Sequence, residues 1–203
     1  MRIGMFGGTF DPIHLGHLIL AEQCREQAQL NEVWFVPSAR PPHKLQQPVT
    51  PFERRAEMVE LAIAGQPGFR VEPMEKDRSG PSYTADTLAE IHARLPDAEL
   101  YLVMGADCLP DLAGWHEPIQ IIERATLLAV PRPGFTLWTA EQLAAELKIA
   151  DPARVRIRLV HVPLIGISSS DLRQRAAEGR SLLYQVPRAV EVYINEKGLY
   201  RSG

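Results

Sequence analysis

Short apolar runs rich in β-formers alternate with amphipathic stretches along nearly the whole chain, and this alternation constrains the fold more than any other feature. The runs at Ile3–Phe6, Glu32–Val36, Phe69–Glu72, Glu99–Met104, Thr126–Val130 and Ile157–Val162 are candidate strands. Leu100-Tyr101-Leu102-Val103-Met104 is continuously apolar, the pattern of a strand covered on both faces. Between the strands, Thr50-Pro51-Phe52-Glu53 reads as a capping box with proline at the first helical position, opening a helix whose apolar stripe is Met58, Leu61 and Ala62 and which stops near Gly65. Thr84 or a neighbour caps another helix, with Leu88, Ile91 and Leu95 on one face. Strand–helix alternation of this kind predicts an α/β protein with a doubly wound, Rossmann-like parallel sheet, right-handed crossovers and C-terminal helices. At 203 residues the chain can bury one good core and is short of two ordinary domains, so residues 1–203 are expected to form a single domain.

Open parallel sheets bind ligands at the carboxyl ends of their strands, so unusual residues there carry the functional signal. After Ile3–Phe6 comes Gly7-Gly8-Thr9-Phe10-Asp11-Pro12-Ile13-His14-Leu15-Gly16-His17. Gly7 and Gly8 let the backbone turn tightly and approach a ligand. A helix must begin near Pro12–His14, because Leu18, Leu20 and Ala21 continue at helical spacing. Its N-terminus offers N–H groups and a partial positive charge, a ready anion site. His14 and His17 are i and i+3 and share one face of the first turn, with the low wall of Gly16 between them. The absence of a Gly-Lys-Ser/Thr sequel excludes a Walker A loop. A simple structural turn is one alternative. Zinc held by the two histidines with Cys24 is another, but it lacks an obvious fourth ligand, and Cys24 fits the core better.

After Ile157–Val162 the chain reads Gly166-Ile167-Ser168-Ser169-Ser170-Asp171-Leu172-Arg173. Ser168 is the expected N-cap and Asp171 suits the first turn, while Leu172 and Ala176 point inward and Gly179 ends the helix. Arg173 then sits one turn in, where its fork can reach an anion held over the N-terminus; Arg175 and Arg180 are expected to face solvent. Two helix N-termini at adjacent strand ends can converge on one polyphosphate.

The segment Gly8 to His17 matches the G-x-F-x-P-x-H-x-G-H pattern of the nucleotidyltransferase superfamily, and Ile167 to Arg173 resembles its second signature, I-S-S-T-x-I-R. The whole chain is similar to the bacterial nicotinate-nucleotide adenylyltransferases. Further matching pieces are Val36-Pro37, Pro41-Pro42-His43-Lys44, Ser82 to Leu88, Met104-Gly105-Ala106-Asp107, Trp115, Arg132-Pro133-Gly134 and Val192 to Tyr200. The resemblance covers essentially the full length, in order. It departs from the family pattern at Ser170, where threonine is usual, at Leu172, where isoleucine is usual, and at His116, where an aromatic is common. The resemblance implies a nucleotidyltransferase fold and transfer of AMP from ATP to the phosphate of nicotinate mononucleotide, giving deamido-NAD and pyrophosphate. It further implies that His14, His17 and Arg173 are catalytic. Gly7, Gly8, Thr9, Phe10, Gly105, Asp107, Ile167, Ser168 and Ser169 would join these three in binding ATP. Lys44, Thr84, Trp115, His116 and Arg132 would bind the mononucleotide, with Trp115 stacking on the pyridine ring, amides near Thr84 taking its carboxylate and Lys44 meeting its phosphate. Trp115 as a core aromatic, Asp107 as a helix cap and Lys44 as a solvated lysine are the structural alternatives.

A phosphate nucleophile is already ionised at neutral pH, so such a reaction needs placement and charge stabilisation more than a proton relay. No carboxylate cage for a metal is evident, and Mg²⁺ is expected to arrive with ATP, with Asp11 as a weak candidate to assist it. With 22 Lys plus Arg against 25 Asp plus Glu, the chain carries a net charge of −3, which argues against a nucleic-acid partner. The two cysteines make no disulfide framework, and no run is long and apolar enough to span a membrane or to serve as a secretory signal, so a cytoplasmic protein is expected. Oligomeric state is not encoded legibly. The rival functions are a phosphopantetheine adenylyltransferase, which shares both end motifs, and a non-catalytic nucleotide-binding module.

Overall fold

A computed structural model describes residues 1–42, 48–131 and 137–201. The strands are β1 (Arg2–Gly8), β2 (Glu32–Pro37), β3 (Phe69–Val71), β4 (Glu99–Gly105), β5 (Ala125–Val130) and β6 (Ile157–Leu159), and the helices are α1 (Leu15–Gln27), α2 (Phe52–Ile63), α3 (Thr84–Arg94), α4 (Pro118–Arg124), α5 (Ala140–Glu146), α6 (Ser169–Ala177) and α7 (Arg188–Glu196). All six strands lie in one sheet in the order β3-β2-β1-β4-β5-β6, and every neighbouring pair is parallel. The order reverses at β1, which pairs with β2 on one side (Gly8 opposite Pro37) and with β4 on the other (Ile3 opposite Leu100). That reversal is the switch point of a doubly wound fold, where the carboxyl ends of β1 and β4 flank a crevice.

The period-2 alternation of the strands separates two cores. Tyr101 and Val103 face one side with Val33 and Phe35, against Cys24 of α1, Met58 of α2, Leu172 of α6 and Val190 of α7. Leu100, Leu102 and Met104 face the other with Trp34 and Val36, against Leu88 of α3, Ile121 of α4 and Leu143 of α5. Both sheet faces are therefore covered, which is why the β4 run is apolar throughout. Among the described residues, no helix is long and apolar enough to cross a membrane.

Three local expectations are corrected. The helix opened by Pro51 starts at Phe52, with Pro51 itself as N-cap and no side-chain capping bond. The Thr50 backbone is engaged instead by Asp11 and Arg55. The buried stripe of α2 is Arg55, Met58, Val59 and Ile63; Leu61 is 37% exposed. The α3 cap, by contrast, is Tyr83, the neighbour of Thr84, as expected, though without a side-chain bond. The sixth strand ends at Leu159. Val160 still donates its N–H to the Ala129 carbonyl at 3.0 Å, but Pro163, which has no N–H to give, follows closely.

Candidate active site

The chain turns over Thr9 to His14 between β1 and α1. Gly7 and Gly8 belong to the strand rather than to the turn, which corrects the expected role of the pair. Gly8 is required for a different reason: a Cβ there would lie 2.9 Å from the ring of Phe10. Phe10 has left-handed backbone (φ 49°) and folds its side chain into the core, edge-on to Phe6 and to His17 at centroid distances of 5.4 and 5.2 Å. The residue thus fixes the His17 ring from below.

His14 is the N-cap of α1, and its own N–H donates to Nδ1 of His17 at 3.2 Å. That bond assigns the His17 proton to Nε2. The two rings stack at 3.7 Å, 24° from parallel. Gly16 leaves room for this arrangement, since a Cβ would come within 2.9 Å of Nδ1 of His14. His14 is 6% exposed with Nδ1 buried and without a hydrogen-bond partner, and burial pulls its pKa down to about 4. At neutral pH it is an uncharged imidazole in the ligand-free protein. One donor expected at the α1 terminus is spent, because Leu15 N–H donates to the Gln185 carbonyl at 2.9 Å. Cys24 is fully buried in the core, with its thiol pushed up to about 12 by desolvation, so it is a packing residue.

The strands that precede the two motifs, β1 and β6, are not adjacent as expected, because β4 and β5 lie between them; the second motif nevertheless closes onto the first. Ser169 Oγ donates to the Pro12 carbonyl at 2.9 Å, and Arg173 Nη1 donates to the Asp11 carbonyl at 2.7 Å. Ser168 caps α6 as expected, accepting from Asp171 N–H at 3.2 Å. A cavity of about 270 Å³ runs between the motifs, lined by His14, His17, Ile167, Ser168 and Ser169 with Val130 at the end of β5. A larger cavity, about 680 Å³, lies around the opposite ends of β4 and β5 near Glu99 and Arg156. It contains neither motif, and the smaller cavity is the one that sits where an open parallel sheet takes its ligands.

Gly105 ends β4 and Asp107 lies in the 3-10 turn that follows it, beside the same crevice edge. Thr84 is the first residue of α3, and Trp115 and His116 lie just before α4. These two places meet: the His116 ring stacks on Tyr83, the α3 cap, at 4.2 Å. Trp115 is partly buried against the β4 core, so it packs as an aromatic and keeps a partly exposed surface. Ser82 holds the preceding loop, its Oγ accepting from the N–H groups of Ala39 and Arg40 at 3.1 and 3.0 Å. Lys44 and Arg132 lie outside the described residues.

Sequence reasoning misses two supports. Arg55 is 1% exposed and donates to the carbonyls of Thr50 (2.8 Å) and Thr9 (2.7 Å). Its signal is present in the sequence, an arginine at i, i+3, i+4 and i+7 with Met58, Val59 and Ala62. Asp11 is buried, with Oδ1 accepting from Tyr200 at 2.7 Å and Oδ2 from Thr50 N–H at 3.3 Å. Asp11 is thus buried among the chain's own donors and does not line the cavity, which argues against it as a magnesium ligand.

Comparison with known proteins agrees with this arrangement. Residues 5–175 match the cytidylyltransferase-like family. A protein of Thermus thermophilus named "Probable nicotinate-nucleotide adenylyltransferase" is 50% identical over 201 residues, covering 99% of this chain and 100% of that one. One of the same name from Thermomicrobium roseum is 48% identical, covering 99% and 92%. The chain belongs to the nicotinate-nucleotide adenylyltransferase family. Its fold is shared with the Plasmodium falciparum nicotinic acid mononucleotide adenylyltransferase solved in complex with NaAD, at a TM-score of 0.78 and 19% identity over 98% of this chain and 97% of that one. In this adenylyltransferase, then, the two signature segments are bonded to each other at the switch point of the sheet.

Proposed function

We propose that the protein, acting as one unit over residues 1–203, transfers AMP from ATP to the phosphate of nicotinate mononucleotide, releasing pyrophosphate. The observation that carries this reading is the docking of α6 onto the turn after β1, through Ser169 on Pro12 and Arg173 on Asp11, because it brings two helix N-termini and a histidine pair to one cavity. The mononucleotide's phosphate oxygen attacks the α-phosphorus; one P–O bond forms as the bond to the leaving pyrophosphate breaks. No side chain needs to remove a proton, since the nucleophile is already ionised. His17, through Nε2–H, and Arg173 donate to oxygens whose negative charge grows in the transition state, the most effective place for a fixed donor. His14, neutral and desolvated, braces His17 and gains affinity for a proton only when phosphates are beside it. Gly7, Gly8, Thr9, Phe10, Ile167, Ser168 and Ser169 shape the nucleotide side, with Gly105 and Asp107 toward adenosine.

On the other side, amides at the start of α3 near Thr84 would take the nicotinate carboxylate, and Trp115 with His116 would flank the pyridine ring; the parts given to Lys44 and Arg132 rest on the family resemblance. Mg²⁺ arriving with ATP would supply charge neutralisation, and Asp11, buried and outside the cavity lining, is not placed to hold it. Charged nucleotide substrates imply a cytoplasmic setting.

The test is ATP-dependent pyrophosphate release with nicotinate mononucleotide, nicotinamide mononucleotide and phosphopantetheine. Nicotinate mononucleotide should exceed its amide at least tenfold in kcat/KM. The amide presents a donor where N–H donors wait, and an unpaired donor costs about 1–3 kcal/mol, with ~1.4 kcal/mol a factor of ten. Equal rates on the two would sink the carboxylate pocket, and release with phosphopantetheine alone would sink the substrate assignment.

A further inference from the structure

Asp11 lies three residues beyond β1 and is 3% exposed. Its three acceptors are engaged by three distant segments. Oδ1 accepts from the Tyr200 hydroxyl at 2.7 Å, 189 residues along the chain; Oδ2 accepts from Thr50 N–H at 3.3 Å; the main-chain carbonyl accepts from Arg173 at 2.7 Å. Arg55 runs alongside, bonding Thr50 and Thr9. The turn that leads into His14 of the cavity lining is therefore held by α2 and by the segment that follows α7.

Backbone conformation points to the same place. Phe10 (φ 49°), adjoining Asp11, and Tyr200 (φ 63°) are both left-handed, which bulky residues rarely adopt. Such conformations persist only where their surroundings over-determine them, and here they stand on the two sides of one hydrogen bond.

We infer that Tyr200 is a positioning residue for the turn that holds the ATP phosphates, acting through its hydrogen bond to Asp11. The physical reason is the charge on a buried acceptor. A carboxylate hydrogen-bonded in a desolvated site must be supplied with donors, and when one is removed it draws on the next. Two strong donors are at hand, the guanidinium groups of Arg55, which interacts electrostatically with Asp11, and of Arg173, already bonded to the Asp11 carbonyl. Either move displaces a group that shapes the phosphate site. Burial first, and the adjoining carboxylate second, hold the Tyr200 hydroxyl far above its ordinary pKa, so it stays a donor across the working range.

This rests on the proposed assignment of the turn to ATP phosphates, and the experiment separates the two. Tyr200→Phe in the full chain removes only the hydroxyl. The expected result is about a tenfold fall in kcat/KM for ATP, equivalent to ~1.4 kcal/mol, with the KM for nicotinate mononucleotide within about twofold. A double-mutant cycle with Asp11→Asn should be strongly non-additive, because the pair acts as one unit. In the unaltered protein, a non-hydrolysable ATP analogue should slow amide exchange of Leu199 and Tyr200, since coupling between two places is reciprocal. A lowered melting temperature with kcat/KM for ATP unchanged, additive losses in the cycle, or no protection of Leu199 and Tyr200 by the analogue would each overturn the inference. If His17→Ala is disabled while Tyr200→Phe matches the parent protein, only this inference fails. If His17→Ala retains full activity, the phosphate assignment fails with it.

Discussion

The two sides of the crevice are built differently. The turn after β1 is buried, aromatic and cross-tied: Phe6 and Phe10 fix His17, His14 stacks on it, and bonds from Arg55, Tyr200, Ser169 and Arg173 hold residues 9–12. The side formed by α3 and the segment before α4 is looser, with an exposed His116 laid on Tyr83 and a Trp115 only partly buried. The contrast fits what the proposed function asks of each side. Stabilising a transition state requires donors held in place before the reaction, and misplacement there is costly. Gripping a flat ring through a stacking face tolerates more play, because the contact is broad and undirected. Substitutions on the tied side should therefore act on kcat, and those on the looser side on the KM of one substrate.

The largest effect expected is that of His17→Ala, a fall in kcat of roughly 10²–10³, as for loss of an oxyanion donor. Stopped-flow or quenched single-turnover rates would measure it, with circular dichroism to verify folding. Unchanged turnover would remove the distinction between the two sides.

His14 offers a second, purely thermodynamic test. Its folded pKa of about 4 lies below the ordinary 6.5, so between these values the unfolded chain binds more protons than the folded one. Stability is thus intact above pH ~6.5 and is lost as the pH falls toward 4. The loss should reach roughly 2–3 kcal/mol, because each pH step between the two values removes ~1.4 kcal/mol. Urea denaturation at pH 7.5 and 4.5 should show that loss in the parent protein and much less of it in His14→Asn. Equal acid sensitivity would mean that the ring is not desolvated. The same low value takes His14 out of contention as the group behind an acidic limb near pH ~6 in kcat/KM, and the proposed mechanism gives that limb to the substrate phosphate. A mononucleotide phosphonate, with a higher second ionisation, should move that limb upward.

On the looser side, Trp115→Ala should raise the KM for nicotinate mononucleotide by roughly tenfold or more, since a stacking face contributes about 1–3 kcal/mol. The KM for ATP should stay put. Should the ATP value rise and the mononucleotide value hold, Trp115 is a core aromatic and the ring is bound elsewhere.

The sheet is legible in the sequence because burial on both faces forces apolar runs, and five of the six candidate strands agree with the structure to within one or two residues. The sixth strand is shorter than its pattern suggests, since Val160 and Val162 continue the apolar alternation past the last paired residue. Helix starts are harder to read. Thr50 has the character of a cap, but its N–H and carbonyl are claimed by Asp11 and Arg55, contacts that exist only in the folded chain. The histidine pair is legible from spacing alone, whereas the depressed pKa of His14 is not, because it comes from how completely the fold covers the ring. Asp11 and Tyr200 show the limit most clearly. Nothing in a sequence reveals that residues 189 apart share a hydrogen bond.

The smallest predicted effect asks whether Ser168 serves the helix or the ligand. Its hydroxyl accepts from Asp171 N–H at 3.2 Å, so it already has a structural occupation although it lines the cavity. Ser168→Ala should cost about 1 kcal/mol of stability, the usual worth of an N-cap, with little change in the KM for ATP. Ser168→Asp separates the two functions further. Aspartate caps as well as serine, so stability should be largely retained; but a carboxylate lining the proposed phosphate site should repel the nucleotide, and the KM for ATP should rise several-fold, more so at low ionic strength. Thermal denaturation and steady-state rates at two salt concentrations would read both. If Ser168→Ala instead raises the KM for ATP while leaving the melting temperature alone, the hydroxyl binds phosphate directly. The tied side of the crevice would then include a ligand contact where the geometry gives a cap.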